Sequence, residues 1–382
     1  MHNEWNGGQA WLIGAALVAA AVVVVGATLW PSFRPQQPAA ASDRLVTPEV
    51  LAQALASEVP DRLTLSDDLD FFSRRLEERG PDDVLALRRL VSASLLRFQT
   101  YGREADLARA EKHLATLTNR YPTSSSVWAT VASARLSRHD FSGAVRAAER
   151  SVRVGGPDDE GGRLRHFDTY LATGRYEGAS DLLRLPFDRY SFAYRTRAVR
   201  MKDRLGDVVG ARDGMEAALA LARSYAQPPA IVAWSLVELG HLEHHTGRPY
   251  RAVSNYREAL ELMPGSPAAI EGLAQVALGW DRDLRAAEAL FLKALENGAH
   301  LDVYVRLIEM AEGAGWGDRA VRYWERFLGA VRADASTERL HLRSLALILG
   351  RQDQTLPEAL RYARRDLAIR HTSETYAVLG WV

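Results

Sequence analysis

Residues 233–266 read AWSLVELGHLEHHTGRPYRAVSNYREALELMPGS. Leu236, Leu239 and Gly240 fall at helical spacing before the turn His245-Thr246-Gly247-Arg248, and Ala252, Tyr256 and Ala259 fall at helical spacing after it. Pro264 closes the segment. The pattern predicts two helices folded back on one another. Gly240, Ala252 and Ala259 are small enough to let the helices approach, and an aromatic ring such as Tyr256 fills the space between one hairpin and the next. A single hairpin of this size buries too little apolar surface alone, so neighbours must stack.

The same offsets recur on both sides, at the period of about 34 residues that marks helical-hairpin solenoids. Trp128, Phe141, Ala144 and Ala148 mark a unit at 125–158, and Phe167, Tyr170, Gly174, Tyr176 and Ala179 one near 160–192. Val199, Gly206, Ala211, Met215 and Ala218 mark the next. Phe291 and Ala294 mark 268–300, which carries one extra residue near its turn, and Tyr304, Leu307, Ala320, Trp324 and Phe327 mark 301–334. An earlier unit at 84–122 has Leu90, Leu107, Ala110 and a closing Tyr121-Pro122, and a degraded one at 336–371 has Leu345, Ala359 and Ala363. The fold class read from this is all-α, a superhelical α-solenoid of about eight hairpins over 82–372, entered through a helical lead-in at 45–81. Residues 373–382, SETYAVLGWV, start like the first helix of a further repeat, incomplete as it stands, or form a short terminal helix docked on the hairpin before.

This pattern resembles the tetratricopeptide repeat family. Trp128, Gly240, the Ala252/Tyr256/Ala259 trio and Pro264 match its signature positions, over about 290 residues, with departures from the consensus at 184–200 and 348–360. The stretch LPFDRYSFAYRTRAVRMKDRLGDVVGARDGMEAAL, followed by Ala233–Leu242, is also similar to a common bacterial group of such proteins that has no settled activity. The resemblance implies a concave surface, lined by the first helix of each hairpin, that binds a protein or peptide.

Ahead of the repeats lies a different kind of sequence. After a short tail at 1–9, residues 10–30 read AWLIGAALVAAAVVVVGATLW without a charge, and Trp11 and Trp30 stand near its ends. A bilayer core needs roughly 20 apolar residues in a helix, and tryptophan suits the headgroup level. The run is expected to be a single transmembrane helix contacting the lipid bilayer, followed by a Pro/Ala-rich spacer at 31–44. A cleaved signal peptide is the less favoured reading, because MHNEWNGGQ has no basic residue and the apolar stretch is long for that role. Arg34 and Arg44 follow the run and no basic side chain precedes it, a weak bias toward a bacterial inner membrane protein with its repeats in the cytoplasm.

Composition narrows the function classes. Forty-eight basic residues balance 48 acidic ones, and a formal charge of zero argues against a general polyanion binder, so no nucleic acid is expected. Cysteine is absent, which removes any reading of redox compartment. No glycine motif has phosphate-loop spacing after a strand, so no cofactor is expected. No nucleophile–base–acid order stands out, so the chain reads as non-catalytic. The one metal candidate is the cluster His241, His244 and His245 with Glu243. His241 and His245 are four apart on a helix, but the order H-L-E-H-H differs from H-E-x-x-H, and a polar helix surface is the better reading.

Candidate binding residues follow from repeat geometry. The inner, non-core positions of the first helices are Ser133, Asp168, Arg200, Asp203, His241, His244, Glu309 and Glu312. Their mixed signs suggest directional polar contacts, with Arg200 suited to a bidentate grip on a carboxylate. Trp316, in a Gly-Trp-Gly turn, is a candidate exposed anchor, whereas Trp128 and Trp324 are expected in the seams between hairpins. The leading expectation is a membrane-tethered scaffold for a protein or peptide. The alternatives are an accessory part of an envelope or polysaccharide-export assembly and, less favoured, a metal enzyme built on the histidine cluster.

Overall fold

The computed structural model describes residues 43–60, 65–156, 158–332, 338 and 341–382. Among the described residues every regular element is a helix. None of these helices is long and apolar enough to cross a membrane, and the proposed span at 10–30 lies outside the described residues.

Of the described residues, those from Asp43 to Glu338 form one compact unit and His341–Val382 belong to another. In the first, two leading helices, α1 (Pro48–Ala56) and α2 (Ser66–Arg79), precede seven hairpins among the described residues. These are α3/α4 (Val84–Tyr101, Glu104–Arg120), α5/α6 (Ser125–Ser137, Phe141–Gly155), α7/α8 (Glu160–Ala172, Tyr176–Arg184), α9/α10 (Phe192–Arg204, Val208–Ser224), α11/α12 (Pro229–His245, Pro249–Leu262), α13/α14 (Pro267–Gly279, Leu284–Glu296) and α15/α16 (Val303–Gly313, Gly317–Arg332).

Local chemistry sets the breaks. Asp83, Asp140, Asp159, Asp207 and Asp283 each precede a helix and accept a hydrogen bond from the backbone N–H three residues on, so the first turn does not leave that donor unpaired. Proline opens α11, α12 and α13, where its missing N–H costs nothing. Each hairpin turn holds one residue at positive φ. Glycine fills that place at 102, 174, 206, 247 and 315, while His139 (φ 51°) and Arg282 (φ 54°) do so in the other two. Helix α8 is only nine residues long, and the chain leaves it extended at Leu185. Arg163 holds this irregular link by donating to the Pro186 carbonyl at 2.7 Å and lying over the Phe187 ring.

The seams use the signature residues. Phe167, Tyr256, Phe291 and Phe327 are fully buried, as are Ala144, Ala179, Ala211, Ala252, Ala259 and Ala294. Tyr256 shows why glycine recurs. A Cβ on either Gly240 of α11 or Gly272 of α13 would run into its ring, which lies between the two helices. Trp128 sits in a seam half-buried, donating to the Pro122 carbonyl at 2.8 Å beneath the Arg150 guanidinium.

The first helices of successive hairpins touch one another, α5 with α7, α7 with α9 and α11 with α13, and each second helix also packs on the first helix of the following hairpin. The second helices show no comparable mutual contact, so the first helices occupy the tighter, inner side of the stack. Helix α3 also touches α11 and α13, far along the chain.

The leading segment crosses a still greater sequence distance. The Asp281 carboxylate, 1% exposed, accepts the Leu45 and Val46 backbone N–H groups at 2.7 and 2.8 Å. Arg44 pairs with Asp283, and α1 packs on α14. At the far end Gly265 N–H donates to the Ser57 hydroxyl at 2.7 Å, while the Asn297 amide donates to the Ser57 and Gly265 carbonyls, both at 3.0 Å. The lead-in is thus a strap across the sixth hairpin. The turn that receives it, Trp280–Asp283, is the one lengthened by the extra residue.

In the second unit, α17 (Leu342–Leu349), α18 (Leu356–Leu367) and α19 (Ser373–Trp381) pack together. Trp381 of α19 lies against Gly350, where a Cβ would displace it, and the buried Asp366 accepts from Arg370 at 2.7 Å and Thr375 at 3.0 Å.

Candidate functional site

Of the first helices, α5, α7 and α9 touch in series and α11 touches α13, and the polar side chains on this inner side divide into those already satisfied and those left over. Asp168 belongs to the first group. It is 4% exposed, and its carboxylate meets Arg165 at 2.9 Å, Arg197 at 2.7 Å and Arg200 at 3.2 Å. Burial alone would raise its pKa, but the charges of Arg197, Arg165 and Arg200 outweigh burial and hold it below the usual range. Arg197 also donates to the Leu164 carbonyl at 3.2 Å, clamping α9 onto α7. Arg200, expected to grip a partner carboxylate, spends a hydrogen bond on Asp168 instead.

The other expected residues are dispersed. Ser133 is buried in α5. Glu309 pairs with Arg306 at 3.4 Å, Glu312 is exposed on the same helix, and Asp203 is half-buried. Trp316 is half-buried with the Arg319 guanidinium 4.6 Å from its ring centre, so the expected exposed anchor is largely covered.

The three histidines do not converge on a common coordination point. His241 turns to the Tyr256 ring at 5.6 Å, whereas His244 faces His245 at 5.9 Å and Trp280 at 6.5 Å. Glu243 is buried, with Arg248 and Arg251 at 3.8 and 3.6 Å from its carboxylate. This arrangement gives a metal enzyme no centre at the histidine cluster.

The remaining polar groups gather where α11 and α13 face inward. Glu238 is partly exposed, makes no ion pair or hydrogen bond among the described residues, and has its pKa raised by burial. Glu271 is likewise raised by burial, although Gln275 donates to it at 3.2 Å. Between them in sequence, Tyr256 of α12 projects a hydroxyl that is buried without a partner, and both carboxylates act on it electrostatically. Burial, with lesser effects from His245 and His244, drops the His241 pKa to about 4, so its ring is neutral at physiological pH. The region is acceptor-rich and poorly solvated. A hollow of about 540 Å³ lies elsewhere, between the start of the strap and turns 247–251 and 280–281, but its Arg248 and Arg251 are paired with Glu243.

The titration signs follow. A raised glutamate pKa contributes stability that is complete below the unfolded value near 4.5 and lost as pH rises through the folded value. Glu238→Gln is therefore expected to stabilise the chain at pH 7 by about 1 kcal/mol, with the gain shrinking in acid. His241 works the other way, because its contribution is present above 6.5 and fades as pH falls toward about 4. Thermal melts of wild type, Glu238→Gln and His241→Gln between pH 4 and 8 separate the two. A Glu238→Gln gain that grows on acidification contradicts the assignment.

Sequence reasoning selected His241 from this cluster and did not single out Glu238, Tyr256, Glu271 or Gln275 as candidate binding residues. The available signal was a lone charge in an apolar helix. Glu271 is the single charged residue of PAAIEGLAQVALG.

No protein-family model matches the chain, and no curated protein matches it. Among solved structures, the human IFIT1 dimer with m7Gppp-AAAA has a TM-score of 0.50 at 13% identity, covering 82% of this chain and 75% of that one. A tetratricopeptide repeat protein from Parabacteroides merdae has a TM-score of 0.44 at 12% identity, over 65% of this chain and 92% of that one. PilW, a widely conserved type IV pilus biogenesis factor, has a TM-score of 0.43 at 17% identity, over 56% of this chain and 97% of that one. The likeness to the IFIT1 structure bears on fold alone, and the stacked helical hairpins themselves make the fold that of tetratricopeptide-like repeats.

Proposed function

We propose that the chain is a non-catalytic scaffold, tethered to a membrane through residues 10–30, that captures a partner protein or peptide on the inner surface of its first helices. The observation that carries this reading is the inward-facing group on α11 and α13, where Glu238 makes no ion pair or hydrogen bond among the described residues, the Tyr256 hydroxyl is buried without a partner, and burial raises Glu238 and Glu271. Folded proteins rarely leave such groups unpaired without a use. The tether rests on the uncharged run at 10–30 and on the strap, which fixes where the chain leaves the repeats, at Leu45 against Asp281. A bacterial inner membrane with the repeats on the cytoplasmic side fits the basic residues that follow the run.

Asp203→Arg with Gln275→Arg tests the surface without touching the Asp168 cluster. Partner co-purification with the full chain is expected to fall at least about tenfold at unchanged helicity, the loss typical of a well-placed interface charge. Undiminished capture by a folded double variant rejects the inner face.

A further inference from the structure

Resting on that reading, we propose that the α11–α13 part of the inner face is a subsite for a cationic side chain, a lysine ammonium or arginine guanidinium of the bound partner segment, received by Glu238, Glu271 and the Tyr256 hydroxyl. Four observations converge. Tyr256 is 0% exposed, and its hydroxyl has no hydrogen-bond partner. It is held in that position by its ring, which occupies the space that Gly240 and Gly272 leave open. The hydroxyl lies within the electrostatic reach of both glutamates. His241, which packs on the same ring, is neutral and adds no competing charge.

Two of the cations nearby, Arg200 and Arg306, are engaged by other carboxylates. Arg200, Arg204 and Asp203 act on Glu238, but Arg200 is hydrogen-bonded to Asp168. Arg306, Asp302 and His300 act on Glu271, but Arg306 donates to Glu309. Burial prevails at both carboxyls and raises them, the state of groups short of positive charge. An ammonium supplies donors only, which suits a phenol oxygen, two carboxylates and the amide oxygen of Gln275. An anionic ligand would meet two carboxylates and no free donor array. Glu238 and Glu271 stay partly exposed, so a side chain can reach them.

The test uses terminally blocked octalysine as probe on the full chain, titrated calorimetrically. Glu238→Gln with Glu271→Gln is expected to weaken octalysine at least about tenfold, as loss of charge-assisted hydrogen bonds does. Glu177→Gln with Glu261→Gln changes net charge equally at exposed positions and is expected to leave affinity within about twofold. Tyr256→Phe keeps the ring and removes the unpaired hydroxyl, so it is expected to raise the melting temperature while weakening octalysine about threefold. Equal loss in both glutamine pairs overturns the subsite, as does a Tyr256→Phe variant that melts lower and binds octalysine normally. Spermine binding as tightly as octalysine overturns the assignment to a polypeptide. Partner capture that survives the Glu238/Glu271 change but fails in Asp203→Arg/Gln275→Arg rejects the subsite and leaves the groove reading standing.

Discussion

Asp168→Ala is expected to destabilise the solenoid by about 3–5 kcal/mol, the cost of removing one partner from a buried ionic cluster. The deletion leaves Arg165, Arg197 and Arg200 facing one another across the α7–α9 seam with no anion between them. Arg197 is the most enclosed, and its remaining bonds go to the Leu164 and Ala193 carbonyls. Asp168→Asn keeps the shape but not the charge and is expected to recover only part of the loss. The depressed carboxyl contributes stability above its unfolded value near 3.8, lost as pH falls further toward the folded value. Denaturant melts at neutral pH check the magnitude, with Asp181→Ala as reference. Asp181 pairs with Arg184 in an exposed position, and such pairs are worth about 0–1 kcal/mol. Similar losses at both positions contradict a structural role for the cluster.

Asp281→Ala is expected to cost about 2–4 kcal/mol and to free the strap. Its carboxylate is the acceptor for two backbone N–H groups, and charged acceptors of this kind make the stronger hydrogen bonds. Without it the Leu45 and Val46 donors are stranded against the turn. Hydrogen exchange should accelerate across residues 44–57 and much less in α11 and α12. Asp283→Ala provides the comparison. It removes the cap of α14 at Ala286 and the pair with Arg44, and is expected to cost only about 1 kcal/mol with less release of the strap. Unchanged exchange over 44–57 in Asp281→Ala contradicts the strap's dependence on this residue.

Much of the architecture was legible because hairpin stacking imposes a period. The place of Ala252 recurs at Ala144, Ala179 and Ala211 and that of Ala259 at Ala294, and each of those alanines is fully buried. The strap had no such signature. Its anchor lies 236 residues from Leu45, and nothing periodic joins an aspartate in one turn to backbone donors so far away. The extra residue in turn 280–283 was visible, but its use was not. Repeat register selected Asp168 and Arg200 as inner residues without revealing that they pair with each other across neighbouring hairpins. It also passed over Glu238 and Glu271, whose significance lies in desolvation and in an unpaired phenol on a third helix.

The central claim is that a partner lies against the first helices, and site-specific photo-crosslinking in cells tests it most directly. A benzophenone amino acid is placed singly at Asp203 and Gln275 on the inner face, and at Arg146 and Glu261, both exposed on second helices. The account predicts one crosslinked partner of constant mass from Asp203 and Gln275 and none from Arg146 or Glu261. Crosslinks from Arg146 or Glu261 alone would contradict it.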